Sequence, residues 1–180
     1  YGPLGLALMR AGHTANEALT ALLAADEFEN VRQVGMVDAR GNVANHTGAN
    51  AIVEHCDIAG DNYTVQANLM WKPTVCEAMV EAFESGEGDL AEKMMLALEA
   101  AEGEGGDIRG KQSVALLVVS GDVSLPAWGG RLFDLRIEDH AEPLKEMRRL
   151  LTMARAYRLM NEGAEHLTTG DIEQAVQASS

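Results

Sequence analysis

Cysteine is scarce, basic residues are outnumbered, and no long apolar run occurs; each shortage narrows what the chain can be. Cys56 and Cys76 form no CxxC, and neither joins the five histidines in a zinc-like spacing. Both therefore read as reduced packing residues, and no metal site is expected. No apolar run approaches the roughly 20 residues that cross a bilayer, which excludes a membrane helix as an expectation. The first dozen residues lack a basic leader ahead of an apolar core, so they do not read as a signal peptide, and the expected location is cytoplasmic. Four lysines and ten arginines face 28 acids, for a net charge of −14. Phosphate binding needs a basic stripe, so nucleic acid is excluded as a partner. There is no P-loop, no GxGxxG and no cluster of metal ligands, and no cofactor is expected.

What is present is ordinary for a globular protein. A length of 180 residues suits one domain with a short appendage, and 47% apolar with 23% charged residues is a usual composition. The acidic excess suggests a source adapted to salt, where a hydrated acidic surface aids solubility. Tyr1 opens directly into Pro3-Leu4-Gly5-Leu6-Ala7-Leu8-Met9, already the first turns of a helix, and a further N-terminal piece is expected ahead of it.

Periodicity lays out the elements. Leu4 to Arg10 reads as a short helix stopped by Gly12, and a second helix starts at His13 or Thr14 with Ala18, Leu19, Leu22 and Leu23 on one stripe. Residues 31–37 and 42–47 flank Asp38-Ala39-Arg40-Gly41 as a hairpin. Residues 48–60 read as irregular, and 63–70 as a strand with Gln66 and Asn68 sharing the face opposite Tyr63, Val65, Ala67 and Leu69. Two helices follow, Thr74 to Glu84 and one capped by Asp89 with Leu90, Met94, Ala97, Leu98 and Ala101 inward. Val114 to Val119 reads as a strand buried on both faces, and Leu132 to Ile137 as one of period two. Asp139 starts a helix with Pro143 in its first turn and Leu144, Met147, Leu151 and Ala154 buried. Strands in runs between paired helices predict a layered α+β protein. From Ala156 a helix, a Gly170-Asp171 turn and a further helix resemble the opening of a tetratricopeptide repeat; a plain helical hairpin is the other reading.

The candidate chemistry sits at the mouths of strands. Asp107, Arg109, Gln112 and Ser113 precede the Val114–Val119 run and are either a polar wall beside the core or, for Asp107 with Arg109, a structural pair pinning the loop. Gln66 and Asn68 are two amides on one strand face, suited to a substrate carbonyl or to satisfying loop backbone. His46 and Thr47 are adjacent on a strand, so they point to opposite faces and make no nucleophile–base pair. Trp71 and Trp128 each fall in a loop, to wall a pocket or to lid the core.

Several segments recur together in one family: Tyr1-Gly2-Pro3 through Gly12, Glu17-Ala18-Leu19 with Asp26, Arg32 to Asp38, Thr47-Gly48, Val65 to Met70, and Asp107 to Ala115. On these residues the chain, from 1 to about 152, resembles the prokaryotic family numbered 1028 among domains of unknown function, sometimes loosely labelled fimbrial assembly proteins. That family is similar to the N-terminal-nucleophile hydrolases. The resemblance implies a four-layer αββα sandwich over 1–152, lacking its N-terminal strands, and a helical tail over 153–180. It also implies an amide-bond hydrolase whose nucleophile, a Thr, Ser or Cys bearing a free α-amine, lies in the piece ahead of Tyr1. The 180 residues alone are then expected to be inactive. Gln66, Asn68, Asp107, Arg109, Gln112 and Ser113 become the expected pocket, with Asn68 and Gln66 on the carbonyl or oxyanion and Arg109 anchoring a carboxylate or ordering Asp107. The family usually has Gln-Gly-Asn where this chain has Gln66-Ala67-Asn68, and the added methyl is expected to narrow that approach. The expected partner is a small-molecule amide, with a homo-oligomer in keeping with related sandwiches. The competing expectation is a non-catalytic scaffold that holds a partner with its helical tail.

Overall fold

The computed structural model describes residues 1–126 and 128–169, with side chains to residue 164. It divides into two compact units, Tyr1–Gly110 and Lys111–Ser180. The Gly170-Asp171 turn and the helix expected after it lie outside the described residues.

In the first unit, α1 (Gly2–Arg10) ends in a Schellman turn, His13 N donating to Leu8 O and Gly12 N to Met9 O. Thr14 then caps α2 (Ala15–Ala24) through a capping box with Glu17. A single 3₁₀ turn, Glu29–Val31, leads into β1 (Gln33–Val37), which pairs antiparallel with β2 (Val43–Thr47). The closing turn places Gln33 opposite Thr47 and Val37 opposite Val43. Ala15, Ala18 and Leu19 of α2 pack with Met36 and Ala44, so the even-numbered face of β1–β2 carries the helix.

β3 (Cys56–Ala59) pairs with β4 (Thr64–Ala67), Cys56 facing Ala67. No alternating pattern marks β3, and its residues were expected to be irregular; Cys56-Asp57-Ile58-Ala59 becomes a strand because β4 supplies the pairing. Behind this hairpin lies α3 (Val75–Ser85), whose Val75 and Cys76 are fully buried with Val65 and Ala67. Cys56 and Cys76 are disulfide-bonded, 6.1 Å apart at Cα, which corrects the expectation of two reduced thiols.

Asp89 caps α4 (Leu90–Gly103) by accepting from Glu92 N. Ala91, Met95 and Ala97 are its buried residues; Ala97 and the core-packed Ala101 fall where expected, whereas Leu90 is exposed and Met94 and Leu98 are half-buried. After α4, residues 106–108 run antiparallel to 69–71: Met70 bridges Asp107, Ile108 N donates to Leu69 O, and Trp71 N to Gly106 O.

The second unit holds β5 (Val114–Val119) paired antiparallel with β6 (Arg131–Ile137), and α5 (Pro143–Thr169). Leu116, Val118, Phe133 and Ile137 are buried on one face with Met147 and Leu151 of α5. β5 is not buried on both faces as expected: Leu117 and Val119 are 51% and 59% exposed, because the pleat sends them to the side opposite α5. Leu144 and Ala154 are half-buried rather than core. The whole is α+β with small antiparallel sheets. Among the described residues no helix is long and apolar enough to cross a membrane.

Candidate functional site

The polar residues that converge in the first unit do so around Gln33. β-Pleating turns Gln33, Gly35 and Asn45 away from α2, toward the β3–β4 hairpin. Gly35 leaves room there for Gln66: a Cβ at that position would fall 2.5 Å from Gln66 Oε1. Gln33 Nε2 donates to Thr47 Oγ1 at 3.1 Å, Cys56 O at 3.2 Å and Ala67 O at 3.0 Å. With only two hydrogens for three acceptors, one of these bonds is shared. Gln33 Oε1 accepts from Asn68 Nδ2 at 2.8 Å.

Asn68 follows the last residue of β4, half-buried, where Leu69 takes a positive φ of 59° and turns the chain toward Asp107. Gln66 Nε2 donates to Thr64 Oγ1 on the same strand face. Ala67 does not crowd these amides. Its methyl sits on the α3 side with Val65, Val75 and Cys76, because alternation sends it the other way, and its carbonyl is what Gln33 binds. A cleft of about 540 Å³ runs along β1, lined by Gln33 and Gly35 with Tyr1, Gly5 and Met9; Asn68, Gln66 and Thr47 are not among its lining residues.

Arg109 folds back on Asp107, its N and Nε donating to Oδ1 at 2.8 and 2.9 Å and its Nη2 to Oδ2 at 2.5 Å. The guanidinium holds the Asp107 carboxyl below the usual range, while Arg109 itself is 70% exposed. The geometry is that of a pair pinning its own loop. Asp107 and Arg109 close the first unit, whereas Gln112 and Ser113 open the second. Both of the latter are exposed, and Gln112 O accepts from His140 N at 2.9 Å.

His46 and Thr47 part company as alternation requires. His46 Nε2 reaches the Glu29 carboxylate at 2.9 Å, while Thr47 goes to Gln33. Among the described residues no three acidic, His or Cys side chains converge as a metal site.

Gln33 and Thr47 are the members of this site that residue-by-residue reading missed. The hairpin turn carries the signal: closing it at Asp38–Gly41 sets two polar side chains opposite each other at the open end.

The comparisons agree with this architecture. A family model described as a family of unknown function, DUF1028, matches residues 1–147. The crystal structure of a Silicibacter pomeroyi protein of the same family is similar at a TM-score of 0.73 and 27% identity, over 85% of this chain. This chain spans 65% of that protein, somewhat less than two thirds of its length. No curated protein matches. With most of its residues under that family model, the chain belongs to the DUF1028 family.

Proposed function

We propose that the protein is an amide-bond hydrolase of the N-terminal-nucleophile type, with its nucleophile supplied by the parent protein ahead of Tyr1. The observation that carries this reading is Asn68, a half-buried carboxamide held at one end by Gln33, with one N–H and Oδ1 given no other partner among the described residues. An amide N–H fixed in this way can bind a substrate carbonyl and strengthen its hold as that oxygen gains charge. Gln66 is the second amide of the proposal, and Arg109 serves by ordering Asp107. A four-layer αββα sandwich is supported by the order of contacts within the first unit. There α2 packs on β1–β2, β3–β4 packs on α3, and Gln33 links the two hairpins.

The test is to express the full-length parent and screen it against amides and acyl-amino acids, reading its mature N-terminus by mass spectrometry. The expected result is a Thr, Ser or Cys at the first position and hydrolysis that falls about 10²–10³-fold in Asn68→Ala, the range for losing one oxyanion donor. Amidase activity unchanged by Asn68→Ala and Arg109→Ala would sink the assignment.

One observation favours a second reading, a non-catalytic scaffold. Leu117 and Val119 are exposed on β5, and Met153, Tyr157 and Met160 recur at helical spacing on α5, all exposed. Such surfaces suit a partner or a second copy of the chain. A bulky second residue in the parent, with no turnover of any amide, is the outcome this reading expects. A cytoplasmic location belongs to the proposal only with Cys56 and Cys76 reduced, since that compartment keeps thiols open.

A further inference from the structure

Gln33 is bound by acceptors that allow it one orientation. It stands at the start of β1, opposite Thr47, and its nitrogen reaches the carbonyls of Cys56 and Ala67, which face each other across β3–β4. Carbonyl oxygens only accept. Turning the Gln33 amide over would set Oε1 against both of them, exchanging two hydrogen bonds for two repulsions. Oε1 therefore points to Asn68, and Nδ2 of Asn68 donates to it. Asn68 inherits the direction, because its own flipped amide would set Oδ1 against Oε1. What Asn68 keeps is one N–H and Oδ1, and among the described residues neither has another hydrogen-bond partner.

The dependence is unequal. Gln33 has acceptors on β2, β3 and β4 besides its bond to Asn68, whereas the described side-chain partner of Asn68 is Gln33 alone. We propose that Gln33 is the positioning residue of this site: it fixes which way the Asn68 carboxamide faces, and Asn68 does not in turn fix Gln33. Its catalytic consequence rests on the reading of Asn68 as an oxyanion contact; the ordering itself does not. A donor turned away from the reacting oxygen presents a carbonyl in its place, so loss of orientation weakens the transition state more than substrate binding.

The side-chain amide protons of the ¹⁵N-labelled protein test this directly, in two variants. Gln33→Met keeps the side-chain length and removes donor and acceptor together. In it the two Nδ2 protons of Asn68 are expected to move to the shifts and rapid exchange of a solvated asparagine. Amide hydrolysis by the parent is expected to fall about 10²-fold in kcat with KM changed by about twofold or less. In Asn68→Ala the Gln33 amide protons are expected to keep their shifts and slow exchange. Asn68 resonances unchanged in folded Gln33→Met overturn the proposal, and so do Gln33 protons that become solvent-averaged in Asn68→Ala. Should Gln33→Met not fold, the wild-type spectrum tests that half instead: an Asn68 Nδ2 proton slowed by its bond to Gln33 Oε1 is expected, and two Nδ2 protons at solvated shifts and exchange overturn the proposal. A parent that hydrolyses no amide removes the catalytic reading, while the two exchange measurements still decide the ordering.

Discussion

Two glycines of the first unit show how differently one added methyl is received. At Gly48 a Cβ would run into the carbonyl group of Asn30 and fall 2.5 Å from Glu29 O, backbone of the 3₁₀ turn that has nowhere to retreat. At Gly35 the obstacle is the end of the Gln66 side chain, which can rotate away. Gly48→Ala is therefore expected to destabilise the fold by about 1–3 kcal/mol, the usual cost of overpacking. Gly35→Ala is expected to leave the midpoint of urea unfolding nearly unchanged while displacing Gln66. Equal losses in the two variants would show that the Gln66 amide is itself rigidly built in.

At the scale of elements, the helix caps and the first hairpin were legible and β3 was not. Thr14 with Glu17, and Asp89, declare helix starts through local chemistry that needs no tertiary partner. Asp38–Gly41 fixes its hairpin because the turn residues and the flanking apolar runs agree. β3 carries its information elsewhere: Cys56-Asp57-Ile58-Ala59 has no amphipathic period and becomes a strand by pairing with β4. The amides of the site divide in the same way. Gln66 and Asn68 share a face by simple alternation, whereas Gln33 joins them through a contact 35 residues distant in sequence. The bond from β3 to α3 was hidden for the same reason. In the loop-closure view, tying 20 residues is worth about 3 kcal/mol, or ~6–12 °C in Tm for a chain of this size. Dithiothreitol is expected to lower Tm by that amount, and thiol titration of the untreated protein should find no free Cys. Two titratable thiols would restore the reduced pair expected from composition.

For the whole molecule, charge matters in a way that secondary structure leaves out. A net charge of −14 on 180 residues repels itself at low ionic strength, and 1 M salt shortens the screening length to about 3 Å. Tm is expected to rise by about 2–4 °C, near 1 kcal/mol, between dilute buffer and 1 M salt. A flat or falling Tm would argue against a salt-adapted surface. The Cys56–Cys76 bond also changes what it means to cut this chain. Between the two sulfurs lie β3, β4, Asn68 and the exposed Trp71, so Gln66 and Asn68 sit on a closed covalent ring while Gln33 reaches them from outside it. A protease that cleaves after Trp71 opens that ring without parting the molecule, leaving both halves on one frame until a reductant releases them.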